Sequence, residues 1–169
     1  MSFYYRKAGS KPWNVPRAMM RVLTLAALTA YPAGAITMLV FPDDTPAPGL
    51  LMGEIAGLGL ILAALACFAV IAPSSLQRIV GEQAKHLDEF ELDLRRRANA
   101  MAYQIFAGLT LLGLIYFGIA MDGEEGYRFW APSTFDHWNA IIWGAILYAF
   151  VLPTAVLAWI APAPVAEEE

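Results

Sequence analysis

The sequence predicts an all-α integral membrane protein: a bundle of four transmembrane helices, the third of which extends into the cytoplasm. Three observations indicate this fold class. The 169-residue chain has a mean hydropathy of +0.52 and 15% charged residues, whereas an average soluble domain has roughly 25%. Four stretches stay apolar over the roughly 20 residues that a helix needs to cross a bilayer. The basic residues are concentrated on one side of those stretches.

Turn residues separate the predicted spans from one another. The sequence PDDTPAPG follows the first span and DGEEGYRFWAPSTFD follows the third, and proline and glycine at this density do not continue a helix. The chain contains no internal repeat, so a single membrane domain of residues 1–169 is expected. The spans cover approximately residues 18–41, 50–72, 98–121 and 138–160.

The first span has an alternative interpretation as a secretory signal peptide. A short apolar run ends near Pro32, and the Ala-Gly-Ala sequence at 33–35 is a possible cleavage site. However, the basic leader is long, and the apolar run continues as ITMLVF after that site. We therefore expect a retained transmembrane helix that Pro32 bends near its middle.

The distribution of lysine and arginine predicts the orientation of the spans. Ten of the eleven basic residues precede the first span or lie between the second and the third, and only Arg128 lies on the other side. Cytoplasmic loops carry the excess of basic residues. Both termini are therefore expected in the cytoplasm, with a bacterial inner membrane as the location. The ten residues are Arg6, Lys7, Lys11, Arg17, Arg21, Arg78, Lys85, Arg95, Arg96 and Arg97.

A single long helix is predicted over residues 75–121. Ser74 and Ser75 are suitable N-cap residues, and apolar residues then recur in steps of three and four, the period of one helical face. Gly81 is the only glycine or proline that interrupts this pattern before the third span. The part over residues 75–97 is expected to be an amphipathic helix on the cytoplasmic side.

Charged residues are concentrated in this predicted amphipathic helix. Glu91 precedes Arg95 by four residues, an order that stabilises a helix by about 0.2–0.5 kcal/mol, and Asp93 precedes Arg97 by the same spacing. Arg95, Arg96 and Arg97 are expected at the headgroup level, where they anchor the helix and contact phosphates of anionic lipids. The alternative is that these charges only solvate an exposed helical face.

The same helix carries an apolar stripe that we interpret as a docking surface for another protein subunit. A stripe facing water would be an exposed apolar patch, which soluble surfaces avoid. Acidic residues such as Asp88 and Glu89 would be repelled by an anionic inner leaflet, so a protein should cover the stripe better than lipid does. Lipid and the N-terminal segment of the chain are the alternatives. The apolar stripe comprises Leu76, Ile79, Leu87, Phe90 and Leu94.

Small residues recur every four positions on the first two spans. This spacing lets two helix backbones approach closely. Packing of the first span against the second is expected, with a contact to another subunit as the alternative. The residues are Gly49 directly before the second span, Gly53 and Gly57 on it, and Ala30 and Gly34 on the first span.

Few residues are candidates for chemistry. Glu54 is the one acid inside a predicted span, and intramembrane carboxylates often mark ion or proton pathways. It lies about four residues into the second span, near the outer interface, so a structural role is expected. His86 and His137 fall on opposite sides of the membrane and cannot jointly ligate a haem iron. The sequence offers too few ligands for a zinc or copper site, and no metal or cofactor is expected.

Charge and motifs exclude several functional classes. A net charge of −4 without a basic stripe argues against nucleic-acid binding. The sequence contains no nucleophile–base pair, Gly-rich phosphate loop or chain of intramembrane charges. We therefore expect a non-catalytic accessory or scaffold subunit of a larger membrane complex, of the electron-transport or light-harvesting type. The alternatives are a small transporter or channel component that uses Glu54, and a membrane-bound enzyme with an interfacial site.

Overall fold

The described part of the chain is all-helical, as predicted. The computed structural model describes residues 13–40, 48–83, 86–122 and 130–162. Most of the two predicted outer loops and both chain ends lie outside these ranges. The described residues form five helices and no strand, and four of the helices are long and apolar enough to cross a membrane. The helices are α1 (Arg17–Val40), α2 (Pro48–Ile71), α3 (Ser75–Gly81), α4 (Glu89–Asp122) and α5 (Phe135–Ile160).

The predicted single helix over residues 75–121 is wrong, because the chain forms two helices there. The short α3 ends at Gly81, and α4 begins at Glu89. α4 then continues for 34 residues to Asp122. The third candidate span is therefore present, but the amphipathic segment before it is not a straight extension of that span.

Hydrogen bonds at both helix ends explain the break. Glu82 has an extended backbone that leaves α3, while its N–H bonds the Arg78 carbonyl oxygen. Asp88 precedes α4, and its carboxylate accepts a hydrogen bond from the N–H of Glu91 at 2.6 Å. This is the N-cap arrangement, in which a side-chain oxygen satisfies a free donor of the first helical turn. The cap at Asp88 fixes the start of a new helix.

The four long helices lie side by side in the order α2–α1–α5–α4. α1 packs along α2 and along α5, α5 also packs along α4, and the short α3 contacts α4 and α5. A closed bundle would require α2 to pack along α4, and the described residues do not form such an extensive contact. The arrangement is therefore a row of helices with α4 at one edge.

α1 and α2 approach each other closely where two glycines meet. A Cβ atom added at Gly34 would lie 2.6 Å from the carbonyl oxygen of Gly57, and one added at Gly57 would lie 2.9 Å from the carbonyl oxygen of Gly34. Because side chains would separate the backbones, only glycine permits this contact. Ala30 packs against the core one turn before Gly34. α1 therefore packs against α2 at Gly34 and Gly57. Gly49 and Gly53 lie on α2 in the turns before Gly57, and their part in the packing stays a prediction.

Two tyrosines connect α1 and α5 by reciprocal hydrogen bonds. The Tyr31 hydroxyl on α1 donates to the carbonyl oxygen of Ala140 at 2.9 Å. The Tyr148 hydroxyl on α5 donates to the carbonyl oxygen of Leu28 at 2.7 Å. α1 continues through Pro32, which has no N–H for the carbonyl four residues earlier, that of Leu28. Tyr148 therefore replaces the donor that Pro32 lacks.

Two arginines at the start of α1 bind carbonyl groups at the end of α5. Arg17 donates to the carbonyl oxygen of Ala161 at 2.9 Å, and Arg21 donates to that of Ala158 at 3.0 Å. The last carbonyls of a helix lack intrahelical partners and carry partial negative charge, so they attract guanidinium groups. Arg21 also lies over the Trp159 ring, 4.7 Å from its centroid. These contacts fix α1 antiparallel to α5.

The segment before α1 is joined to the turn between α2 and α3. The N–H of Trp13 donates to the Pro73 carbonyl at 3.1 Å, and the Trp13 carbonyl accepts from the N–H of Ser75 at 3.0 Å. The start of α1, the end of α2, α3, the start of α4 and the end of α5 thus lie together at what we call the basic end. It holds every arginine that the structure describes, as the one-sided charge distribution predicts. These are Arg17, Arg21, Arg78, Arg95, Arg96 and Arg97.

Candidate functional site

α3 is fixed to α5 by a buried polar contact. Ser74 caps the start of α3 and accepts a hydrogen bond from the N–H of Gln77 at 3.2 Å. The Gln77 side chain in turn accepts a hydrogen bond from the hydroxyl of Thr154, and both residues are almost completely buried. Buried polar groups need partners of this kind, so the contact gives α3 one defined position on α5.

The α3–α4 junction (Arg78, Glu82, His86, Glu91 and Arg95) gathers charges from both helices. Arg78 donates to the Glu82 carboxylate at 3.1 Å and also to the Glu91 carboxylate. Burial alone would lower the pKa of Arg78, but hydrogen bonds and charges from Glu82 and Glu91 outweigh it and raise this pKa above its ordinary value. Arg78 therefore stays charged and holds the first turn of α4 against α3.

Arg95 completes the junction from the α4 side. Its Nη1 donates to the carbonyl oxygen of Glu82 at 2.7 Å, just beyond the end of α3. The predicted Glu91–Arg95 ion pair is wrong, because Glu91 is bound from α3 instead. The predicted pair of Asp93 and Arg97 is present at 2.8 Å, but both side chains are more than half exposed. An exposed pair of this kind contributes little to stability.

The chain itself covers most of the apolar stripe that is predicted to dock another subunit. Leu76, Leu87 and Leu94 are each 8% exposed, and Ile79 packs against the core. Phe90 alone remains open, at 60% exposed. The break before α4 folds the stripe inward, whereas a straight helix would have left it uncovered. The premise of an uncovered stripe is therefore wrong for four of its five residues.

α4 is the least buried of the long helices. None of its most apolar 18-residue stretch is buried, compared with 39% of the corresponding stretch of α5. Its inner side begins with the buried Leu94, Ala98 and Ala102. The opposite side carries exposed residues in alternating steps of four and three, the spacing of residues along a helix–helix contact. This α4 seam comprises Gln104, Gly108, Leu111, Ile115 and Gly118.

Gln104 is the polar residue of the α4 seam. Its side-chain amide forms no hydrogen bond with the described residues. It lies about 10 Å further along α4 than Arg97, at 1.5 Å per residue. A Cβ atom added at Gly108 or Gly118 would meet nothing within 4 Å, so the seam also has two open notches. Gln104 was not among the predicted site residues, although a lone amide in an apolar run is the sequence signal that identifies it.

Glu54 lies near the start of α2. The helix begins at Pro48, which places Glu54 about 9 Å along it at 1.5 Å per residue. The residue is half-buried and has an interaction partner within the chain. The position is close to the helix end, as expected, and the structural role of Glu54 stays a prediction.

The two histidines lie at opposite ends of the helix row. His86 is 3.7 Å from the Glu82 carboxylate at the basic end. His137 lies in the first turn of α5, where its Nδ1 accepts hydrogen bonds from the N–H groups of Ser133 and Thr134. The two rings cannot share one metal ion, as expected from their predicted positions. Within the described ranges, no group of three or more His, Cys, Asp or Glu residues could hold a metal ion.

An apolar cleft of about 630 Å³ opens between α2 and α5 with α1 at its base. Aromatic rings of Tyr31, Phe68, Trp143 and Phe150 line it together with leucine and isoleucine side chains. Its lining contains no charged group, and the Tyr31 hydroxyl is bonded to the Ala140 carbonyl, so the cleft suits hydrocarbon chains.

Comparison of the chain with protein-family models, with curated proteins and with solved structures finds no match.

Proposed function

We propose that the chain is a non-catalytic accessory or scaffold subunit of a larger membrane complex. The four long helices cross a bacterial inner membrane, and the basic end lies in the cytoplasm. The α4 seam contacts a helix of a neighbouring subunit. One observation carries this proposal: a helix at the edge of the row exposes an amide and two glycines on the side that faces away from its own core.

The physics of helix association in membranes supports this use of the α4 seam. Lipid chains are as apolar as leucine side chains, so transmembrane helices associate through close packing and interhelical hydrogen bonds. Gly108 and Gly118 allow a second backbone to approach, and Gln104 offers two donors and one acceptor oxygen. An amide facing hydrocarbon without a partner is unfavourable, and a neighbouring helix removes that cost.

Substitution of a seam glycine tests the subunit contact. Gly108→Leu is expected to release the chain from its complex, because the new side chain fills the notch that the partner backbone needs. The chain itself should still fold, because a Cβ atom added at Gly108 meets nothing within 4 Å. Gly59→Leu is the matched control, since Gly59 is an exposed glycine of α2 with equally open surroundings. Native mass spectrometry after gentle detergent extraction reports the composition of the complex.

Three results of this experiment would contradict the proposed contact. These are recovery of the parent chain alone, retention of Gly108→Leu in the complex at the parent stoichiometry, and equal release of the chain by Gly59→Leu. Recovery of a homo-oligomer that Gly108→Leu dissociates would show that the α4 seam binds a second copy of this chain and would overturn the subunit role.

Cysteine labelling tests the proposed orientation. In a Cys67→Ala background, Ser133→Cys should react with an impermeant thiol reagent added to intact cells, whereas Ser10→Cys should react only after lysis. The expectation follows from the arginines at the basic end, because basic segments remain on the cytoplasmic side. Labelling of Ser10→Cys in intact cells, with Ser133→Cys protected, would reverse the orientation.

A further inference from the structure

A pocket of about 380 Å³ lies at the basic end between the end of α3 and the second and third turns of α4. Glu82 and Gln83 line it from the α3 side. The α4 side supplies Leu92, Arg95, Arg96 and Asn99, which follow one another at i, i+3, i+4 and i+7 and therefore share one helical face. The pocket exists because the helix is interrupted between α3 and α4.

The structure gives the three consecutive arginines different partners. Arg97 is paired with Asp93 at 2.8 Å and is not part of the pocket lining. Arg95 is oriented by its bond to the Glu82 carbonyl at 2.7 Å, and a guanidinium has five N–H donors, so it retains donors for a ligand. Arg96 forms no ion pair and no side-chain hydrogen bond with the described residues. The pocket thus holds one pre-oriented guanidinium and one that has no partner among the described residues.

The acidic residue in the lining cancels only part of this positive charge, since Arg78, which binds it, is shared with Glu91. The Glu82 carboxylate is bound by Arg78 at 3.1 Å and lies 3.7 Å from His86. Two guanidinium groups and the Asn99 amide therefore remain as donors around the pocket. Arginine forks match the oxygen geometry of phosphate and bind it through charge-assisted hydrogen bonds.

We propose that this pocket binds a phosphate group, and that the phosphate belongs to the headgroup of an anionic membrane lipid. Arg95 and Arg96 immediately precede the apolar part of α4, which begins at Ala98. Basic pockets at this level of a membrane helix meet lipid headgroups, and Leu92 gives the pocket an apolar wall beside its charged groups. The inference rests on the proposed membrane location and is independent of the proposed subunit role.

The test uses the full chain, purified in mild detergent and stripped of lipid, and titrated with phosphatidylglycerol in mixed micelles. Native mass spectrometry counts the bound lipid, and the shift in thermal unfolding midpoint gives the affinity. Arg96→Ala and Asn99→Ala should weaken binding, the arginine variant by about tenfold, because a charge-assisted contact is lost. Arg97→Ala is the matched control: it removes the same charge from the adjacent residue and should change the affinity by less than about twofold.

Each outcome decides the proposal. A loss that is large for Arg96→Ala and small for Arg97→Ala supports it, provided that both variants unfold at the parent temperature without lipid. Equal losses of affinity for the two variants would mean that the lipid is held by diffuse electrostatic attraction, and would overturn the proposed binding pocket. Inorganic phosphate is titrated in parallel, and stabilisation by it alone, without phosphatidylglycerol binding, would overturn the lipid source. Absence of binding by both probes would overturn the site, whereas failure of the membrane location itself would be detected by the cysteine labelling.

Discussion

Gly34→Leu is expected to separate α1 from α2 and to destabilise the chain by about 3 kcal/mol, the upper part of the range for overpacking a tight interior. The added Cβ atom alone would lie 2.6 Å from the Gly57 carbonyl oxygen. A backbone atom cannot move aside as a flexible side chain can, so the whole helix must shift. Unfolding by SDS titration in detergent, followed by circular dichroism, measures the change.

Gly59→Leu provides the control for this prediction. It adds the same side chain to a glycine two residues from Gly57, where nothing lies within 4 Å of the new Cβ atom. Its unfolding free energy should stay within about 0.5 kcal/mol of the parent value, as for most exposed substitutions. A Gly34→Leu chain that is as stable as Gly59→Leu would show that α1 and α2 do not pack through these glycines.

The long helices and the close contact of α1 with α2 could be predicted from local sequence information. Hydropathy depends only on consecutive residues, and the predicted spans agree with α1, α2 and α5 within about three residues at each end. The close approach at Gly34 and Gly57 follows from small residues spaced at the helical period, which needs no knowledge of the neighbouring helices. The order of the helices across the row is a tertiary property and was not predicted.

The interruption of the helix before α4 was not predicted, because hydrophobic periodicity depends on the apolar positions and contains no information about helix caps. The stripe continues through residues 82–88 with helical spacing, and Gly81 alone is tolerated within helices at a cost of about 1 kcal/mol. The decisive signal was Asp88 followed by acids in the next turn, a sequence typical of a helix start. The competing contact is non-local, since Arg78 and Glu91 are 13 residues apart.

The same break changes which residues are available to partners. A straight helix would have exposed the apolar stripe, and the docking prediction depended on that geometry. In the structure Leu76 and Leu94 belong to the core, while Gln104 and the glycines of the α4 seam remain uncovered. Exposure of a helix face depends on how the helices are placed in the row, so a single-helix pattern could not separate these two surfaces.

Tyr148→Phe is expected to destabilise the chain by about 1–2 kcal/mol, although it removes only one oxygen atom. The lost hydroxyl is the donor to the Leu28 carbonyl at 2.7 Å. Pro32 cannot supply the missing backbone donor, and at the proposed location water is excluded from the apolar interior of the membrane. Tyr31→Phe is the matched control. The Ala140 carbonyl that Tyr31 contacts keeps the N–H of the residue four positions later in α5 as its helical partner. The stability lost in Tyr31→Phe should therefore be smaller than that lost in Tyr148→Phe.

A double-mutant cycle identifies Pro32 as the reason for this difference. In a Pro32→Ala background, the new N–H can bond the Leu28 carbonyl within α1, and the Tyr148 hydroxyl becomes dispensable. Tyr148→Phe should then cost less than about 0.5 kcal/mol, and the coupling between the two sites should be about 1 kcal/mol or more. Unfolding free energies of the four chains, measured in one detergent, give this coupling. Residues that do not interact show no coupling in such a cycle. Additive effects would therefore mean that Tyr148 stabilises the α1–α5 contact for a reason unrelated to the proline.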